Sequence, residues 1–323
     1  MKNCRLSNNL PPNPMSNANY KSILHLVVKL SMFSWVGNVA NATDSDPRAY
    51  SNIPVGLNFL IAAYNYTSGN VSFSPSVPIT NGELAIHSAI MAYSRSLDVF
   101  GMSGKVDLIV PTASLSGTAD VLGQPRERNV AGFADPIARF YVNLYGAPAL
   151  SAKEFTAYKQ NVIVGVSLTV QAPGGQYDPE KLVNLGNNRW AFKPEIGVSK
   201  AWGPVTTELA VGAYFYTDNS QPLLGQTLQQ DPLYTFQSHL IYNLGPGIWV
   251  AFDANYYNGG ATTKDDKPAG QAQENWRVGG TLSLPVNRYN SIKLTGSTGI
   301  YSRTGSTYDT VGIGWQYRWG EGF

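Results

Sequence analysis

The sequence predicts an all-β fold, a 12-stranded antiparallel transmembrane β-barrel of the bacterial outer-membrane type. Three observations predict it: apolar and polar residues alternate in successive segments, short and long connections alternate between them, and the final segment is strongly aromatic. In that segment, 311–323, every second residue from Val311 to Trp319 is apolar, with glycine, glutamine and arginine between them. Successive side chains of a strand point to opposite faces, so one face is apolar throughout, as expected for the closing strand of such a barrel.

The composition agrees with one large β-sheet domain. Of the 323 residues, 43% are hydrophobic and only 14% are charged, and the 32 glycines and 19 tyrosines favour strands and turns over helix bundles. After the N-terminus, no segment approaches the run of roughly 18 apolar residues that a membrane-spanning helix needs. Helical membrane spans are therefore not predicted.

Residues 1–42 are predicted to be a signal peptide that is cleaved on export. An apolar stretch at 23–36 follows Lys21, and the small residues at 40–42 suit a cleavage site. Met15 is the expected start, because the stretch before it is long and rich in proline for a signal. A structural N-terminal helix is the alternative interpretation of this stretch.

The mature chain is then predicted to contain a periplasmic N-terminal segment, 43–52, and a single barrel domain, 53–323. The signal holds four of the 23 basic residues and none of the 21 acidic ones, so the mature chain is weakly acidic. This balance offers no support for nucleic-acid binding, which needs a concentrated basic patch. The single cysteine, Cys4, also leaves with the signal, so no disulfide is expected.

Twelve segments with a period of two follow the signal, an even number as a closed bacterial barrel requires. In the clearest of them, 161–171, every second residue from Val162 to Val170 is apolar. The predicted strands are 55–66, 84–99, 105–115, 130–145, 161–171, 189–199, 205–217, 233–243, 248–257, 275–284, 291–301 and 311–323.

The connections after even-numbered strands are mostly brief, and those after odd-numbered strands are mostly long and polar. This alternation is typical of short periplasmic turns and long outer loops, and a soluble Greek-key sandwich has no reason to show it. One periplasmic connection, 146–159, is longer. Within it, Ser151 and Glu154 match a capping box, which predicts a helix of one or two turns.

The parity of each strand predicts which side chains face the lumen. A basic side chain at the lipid midplane costs about 2–4 kcal/mol, so charged residues are expected opposite the apolar, lipid-facing side. The predicted lumen residues are Glu83, His87, Arg95, Lys105, Asp107, Asp135, Arg139, Lys193, Glu195, Glu208, His239, Asp253, Arg277, Lys293 and Arg318, with Arg303 near the outer end. Acids and bases nearly balance, so these residues either line a weakly selective pore or form an ion-pair network that rigidifies the barrel.

Pro111 and Pro136 lie at comparable heights in neighbouring predicted strands. Proline cannot donate to a ladder, so both positions predict bulges or edges. Two interpretations stay open: bulges that the sheet tolerates, or a weakened seam through which an apolar solute leaves sideways into the membrane.

Several stretches resemble the family named for the MetA pathway of phenol degradation. They are NIPVGLNFL at 52–60, LYGAPALS at 144–151, QYDP at 176–179, NRW at 188–190, FKPE at 192–195 and VGIGWQYRW at 311–319, and together they span nearly the whole mature chain. The resemblance implies an outer-membrane protein that transports aromatic or other hydrophobic compounds. It supplies no functional residues.

The leading functional hypothesis is an outer-membrane channel or transporter for small hydrophobic or aromatic compounds. Its expected partners are outer-membrane lipid, the small-molecule solute and the barrel-assembly machinery. A barrel of eight strands is filled by side chains and one of about 16–18 holds an aqueous channel, so twelve strands predict a narrow lumen.

The alternative is a lipid hydrolase built on a 12-stranded barrel. It would need a nucleophilic serine with a histidine base, or a histidine with bound calcium. The mature chain has two histidines, His87 and His239, both predicted in the lumen, and no Gly-x-Ser-x-Gly sequence. No catalytic, cofactor or metal site is therefore predicted.

Overall fold

The computed structural model describes residues 46–71, 79–121, 123–221, 227–303 and 306–320. Twelve antiparallel barrel strands form one closed sheet, which confirms the predicted fold class. The last strand, β16 (Ser306–Gly320), pairs with the first, β1 (Leu57–Val71), from Leu57↔Gly320 to Val71↔Ser306, and this pairing closes the barrel. The predicted signal peptide, residues 43–45 and the last three residues lie outside the described ranges.

The strands follow one another around the barrel in chain order. The full chain order between β1 and β16 is β2 (Ile79–Val99), β3 (Met102–Val121), β4 (Gln124–Phe133), β5 (Ile137–Tyr145), β6 (Val162–Gln171), β7 (Ala191–Trp202), β8 (Val205–Tyr216), β9 (Leu228–Gln230), β10 (Leu233–Gly245), β11 (Ile248–Gly259), β12 (Thr262–Lys264), β13 (Lys267–Gly270), β14 (Gln273–Pro285) and β15 (Asn290–Ser302). In the barrel β10 pairs with β8 and β14 with β11, so the barrel strands skip three short strands. The short strands β9, β12 and β13 form a separate sheet at the end with the long connections. We name this the outer end, and the end with the short turns the periplasmic end.

The fourth barrel strand is divided into β4 and β5, and both pair with β3. The break at 134–136 includes Pro136 and lies opposite Pro111 of β3, so the two prolines share one height in the wall. The predicted continuous strand over 130–145 is wrong at this point, because proline cannot donate to the ladder. The Ala134 amide donates to the Pro111 carbonyl and the Ala172 amide to the Pro136 carbonyl, both at 3.0 Å, so backbone hydrogen bonds still cross the break.

The predicted helix in the long periplasmic connection is present as α1 (Ala152–Phe155), and its capping box is formed. The Glu154 amide donates to the Ser151 hydroxyl at 3.3 Å, and the Ser151 amide donates to the Glu154 carboxylate at 2.9 Å. Within the described ranges, no helix has the length and apolar character needed to cross a membrane.

The outside of the barrel is apolar over its middle. Exposed large side chains there include Leu168, Ile196, Val211, Leu240, Phe252 and Ile313. Exposed aromatic residues lie toward both ends, with Trp190, Tyr234 and Trp276 near the outer end and Trp202, Tyr242 and Trp319 near the periplasmic end. An apolar band between two aromatic girdles is typical of the lipid-facing surface of outer-membrane barrels.

Candidate functional site

The inward face of the barrel changes character around its circumference. β1 to β3 contribute four apolar side chains that line the interior, Phe59, Ile61, Ile90 and Ile109, which we name the apolar wall; the charged residues Lys105 and Asp107 of β3 lie beside them. Farther around the barrel, β10 to β15 present polar side chains, among them His239, Asp253, Asn255, Thr281 and Lys293, which we name the polar wall. The lumen is therefore amphipathic, with one apolar and one polar wall.

The predicted lumen residues of β2, Glu83, His87 and Arg95, lie on the outside of the barrel, where they are exposed. The residues that alternate with them, such as Ile86 and Ser88, are buried at 1% exposure and point inward. Parity assigned these charges to the lumen because the apolar face was assumed to contact lipid, whereas in β2 the apolar face points inward. His87 is held there by a hydrogen bond of 2.6 Å between its Nδ1 and the Tyr64 hydroxyl.

The remaining predicted residues lie in the lumen or its wall. Lys105, Asp107, Arg139, His239, Asp253, Lys293 and Arg318 line the interior, and Asp135, Lys193, Glu195, Glu208 and Arg277 are buried. Arg303 is largely exposed at the outer end, 3.4 Å from Glu274.

Several lumen charges form pairs two residues apart along one strand. The Lys193 ammonium lies 2.7 Å from the Glu195 carboxylate, and that of Lys105 lies 3.5 Å from Asp107. Lys193 is 1% exposed and Glu195 4% exposed, so loss of either partner would leave a buried charge uncompensated. For these four residues, the contacts favour the ion-pair network in the wall over the lining of a weakly selective pore.

Residues 46–54, which we name the lumen segment, lie inside the periplasmic half of the barrel. The sequence predicts a periplasmic segment over 43–52, and the described part of it occupies the lumen instead. The Asp46 carboxylate pairs with Lys293 of β15 at 2.8 Å, and the Arg48 amide donates to Glu208 of β8 at 2.7 Å. Because β15 and β8 are separated by β14, β11 and β10, the segment crosses the lumen and narrows it.

Tyr50 anchors the lumen segment and is 1% exposed. Its hydroxyl donates to Glu195 at 2.9 Å, and its ring meets Tyr141 edge-on with centroids 6.0 Å apart. Burial and the Glu195 carboxylate raise the pKa of Tyr50, so its hydroxyl stays protonated as a donor. Composition and periodicity gave no indication of this role.

Two glycines of the wall make room for the Tyr50 ring. Gly165 of β6 and Gly197 of β7 face each other in register. A Cβ atom would lie 2.6 Å from Tyr50 Cδ1 at Gly165, and 2.1 Å from Tyr50 Cε2 at Gly197. Such distances are far shorter than van der Waals contact, so the packed position of Tyr50 requires both glycines.

We expect Gly197→Ala to displace Tyr50, loosen the lumen segment and raise the single-channel conductance several-fold in planar bilayers. The added methyl group cannot share space with the ring, while the outward side of β7 is unchanged. Gly314→Ala is the matched control, since a Cβ there would lie 3.6 Å from the Ala63 Cβ, an ordinary contact. Equal conductance in both variants would show that Tyr50 does not hold the constriction.

The outer half of the lumen holds part of the connection 172–190, which we name the inward loop. Val183 of this loop is 7% exposed and packs in a buried apolar cluster with Leu84, Ile86, Ala113, Leu115 and Tyr308. The sequence predicts a polar outer loop here, although Leu182, Val183 and Leu185 are a local apolar signal for inward folding. This cluster is also the reason that the apolar face of β2 points inward.

Asp135, at the break between β4 and β5, holds the inward loop in place. Its carboxylate accepts hydrogen bonds from the Gly175 amide at 2.9 Å and the Asn187 amide at 2.8 Å. The Gln171 side chain donates to the same carboxylate at 3.1 Å. Asp135 is therefore a structural anchor for the loop, which sequence parity could not distinguish from a pore-lining acid.

The lumen segment forms one boundary of a cavity of about 800 Å³ in the barrel interior. The apolar wall and the polar wall both line it, and within the polar wall β10 and β11 lie across the barrel from β2 and β3. Within the described ranges, no group of three or more histidine, cysteine, aspartate or glutamate residues is placed to hold a metal ion. The arrangement suits an uncharged solute with one apolar side.

The closed barrel, its apolar outer band and its partly filled lumen define the class of outer-membrane β-barrel proteins. The chain belongs to the family described as "Putative MetA-pathway of phenol degradation", whose sequence profile matches residues 91–319. This confirms the family resemblance found in the sequence. A comparison with curated proteins returns no match.

The fold is similar to that of the COG4313 outer membrane channel from Pseudomonas putida F1. The TM-score is 0.73 and the sequence identity 17%, over 85% of this chain and 100% of that chain. The toluene transporter TbuX from Ralstonia pickettii is a more distant match, with a TM-score of 0.41 and 7% identity over 89% of this chain and 95% of that chain. At these identities the first similarity establishes the fold alone, and the second adds nothing about function.

Proposed function

We propose that the protein is an outer-membrane channel or transporter for small hydrophobic or aromatic compounds. The observation that carries this proposal is the apolar wall of the cavity, where Phe59, Ile61, Ile90 and Ile109 face the inside of the barrel. An apolar solute gains roughly 25 cal/mol for each Å² of apolar surface that it buries against such side chains. Membership in a family named for phenol degradation agrees with this role.

The proposal includes export through a cleaved signal peptide, residues 1–42, and insertion into the outer membrane by the barrel-assembly machinery. The exposed apolar band and its aromatic girdles support a position in lipid. The lumen segment then faces the periplasm, and the inward loop faces the cell exterior.

A transport role fits the two histidines better than lipid hydrolysis does. A catalytic histidine has its Nδ1 oriented by an acid or amide and its Nε2 directed at a nucleophile. His87, on the outside, has its Nδ1 bonded to the Tyr64 hydroxyl instead. His239 does have an acid partner, Asp253, but it lies in the lumen, away from the lipid-facing surface.

Uptake of toluene by a Gram-negative host without its own aromatic channels tests the proposal. We expect expression of the protein to raise the initial uptake rate several-fold, because the outer leaflet of that membrane is a poor path for apolar solutes. The double variant Phe59→Asn/Ile61→Asn should lose most of the gain, since its cavity wall no longer offers apolar contacts. Phe59→Leu/Ile61→Val, which keeps the wall apolar, is the matched control. Equal uptake with and without the protein would contradict the proposal.

A further inference from the structure

The polar wall of the cavity contains a buried hydrogen-bonded chain that the proposed transport role does not by itself require. His239 of β10 is 5% exposed, and its Nδ1 lies 2.6 Å from one carboxylate oxygen of Asp253. The other oxygen of Asp253 accepts a hydrogen bond from the Thr281 hydroxyl at 3.0 Å. When the imidazole is neutral, the carboxylate holds its single proton on Nδ1, and Nε2 is an acceptor.

The acceptor atoms at this point of the wall have no partner within the described part of the chain. His239 Nε2 is buried without a hydrogen bond, and so is Oδ1 of Asn255, the next inward-facing residue after Asp253 on β11. Both residues line the cavity. Buried polar atoms are almost always hydrogen-bonded, so two unpaired acceptors beside a cavity indicate a position for a donor from outside the chain.

The surrounding charges restrict what that donor can be. Asp253 and Glu208, the two register neighbours of His239 on β11 and β8, oppose an anion. Arg48, Arg139 and Lys293 also line the cavity and oppose a cation. A neutral hydroxyl group satisfies both conditions and can bond to His239 Nε2 in either protonation state, because it donates to the neutral ring and accepts from the charged one.

We infer that His239, held by Asp253 and Thr281, recognises a hydroxyl group of the transported solute, with Asn255 beside it. The inference rests on the proposed function and makes it more specific. The solute is an apolar or aromatic compound with a neutral hydroxyl, which directs its ring toward Phe59 and Ile61 and its hydroxyl toward the polar wall. A hydrogen bond to a side chain as buried as His239 is stronger than the same bond in water.

Phenol and toluene form the test pair, because they have nearly the same shape and differ in the hydroxyl. Their binding to the purified full-length protein in detergent is measured by titration calorimetry, with detergent alone as the blank. His239→Asn keeps an amide donor for Asp253 and removes Nε2. We expect it to weaken phenol binding about tenfold and to leave toluene binding unchanged. Leu240→Val, a change in the outward-facing neighbour of His239 on β10, should alter neither.

Heat-modifiable migration on gels verifies that each variant is folded. If His239→Asn changes phenol and toluene binding equally, or changes neither, the hydroxyl site is disproved while hydrophobic transport stands. If the wild-type protein neither binds the two compounds nor raises their uptake by cells, both the hydroxyl site and the proposed function are disproved.

Discussion

Removal of residues 315–323 is expected to abolish assembly of the barrel. Residues 315–320 of β16 pair with the start of β1, from Ala62↔Trp315 to Leu57↔Gly320, and so form the periplasmic half of the closing seam. Residues 315–317 also pair with the start of β15, as in Asn290↔Tyr317. Without these residues, both neighbouring strands expose unpaired amides and carbonyls at the seam.

The magnitude of the penalty follows from the surroundings. Each unsatisfied backbone group in the hydrocarbon region costs several kcal/mol. A closed barrel has no free strand edge elsewhere with which the exposed groups could pair. Several such groups together exceed the net stability of about 5–15 kcal/mol that is typical of a folded domain. The truncated chain should therefore not reach a folded state in the membrane.

The measurement is the amount of heat-modifiable, protease-resistant protein in the outer-membrane fraction. Gln316→Ala is the control, because it alters an inward-facing side chain of β16 and keeps every backbone pairing. A truncated protein that is inserted at the wild-type level would show that another strand closes the barrel.

The barrel could be predicted from the sequence because its two signals are local. The period of two within each strand and the alternation of short and long connections can both be recognised from residues that are close together in the chain. The same local character explains the misplacement of Glu83, His87 and Arg95. Alternation shows that β2 has two different faces. It does not show which face contacts lipid, because the part of the lumen next to β2 is also apolar. That choice depends on Val183, which lies far along the chain from Leu84 and Ile86.

The lumen segment could not be predicted for a related reason. Its position depends on Tyr50 meeting Glu195, Gly165 and Gly197, all more than a hundred residues away. Gly165 and Gly197 could be recognised as small residues on the inward faces of two clearly predicted strands. Their role is to make room for the Tyr50 ring, and periodicity does not indicate that Tyr50 packs there. The polar wall around His239 was predicted as lumen, whereas the Thr281 contact that completes it became visible only in the structure.

Deletion of residues 46–54 is expected to open the periplasmic half of the lumen and to raise the single-channel conductance several-fold. The segment spans from Lys293 on β15 to Glu208 on β8, and its removal empties the cross-section that Arg48 and Tyr50 now occupy. The barrel itself should remain assembled, because the hydrogen bond of 2.9 Å from the Val55 amide to the Leu150 carbonyl and the whole β1–β16 ladder are outside the deletion.

Ion selectivity should stay weak in the deletion variant, because the deletion frees one positive partner, Lys293, and one negative partner, Glu208, in the same water-filled space. Tyr50→Phe is the matched control: it keeps the ring between Gly165 and Gly197 and removes only the hydroxyl contacts with Glu195 and Ser167, so its conductance should remain close to that of the wild type. Conductance and reversal potential in planar bilayers measure both effects. Unchanged conductance after the deletion would place the narrowest point of the lumen at the inward loop, because that loop and its anchor Asp135 are then the remaining obstruction.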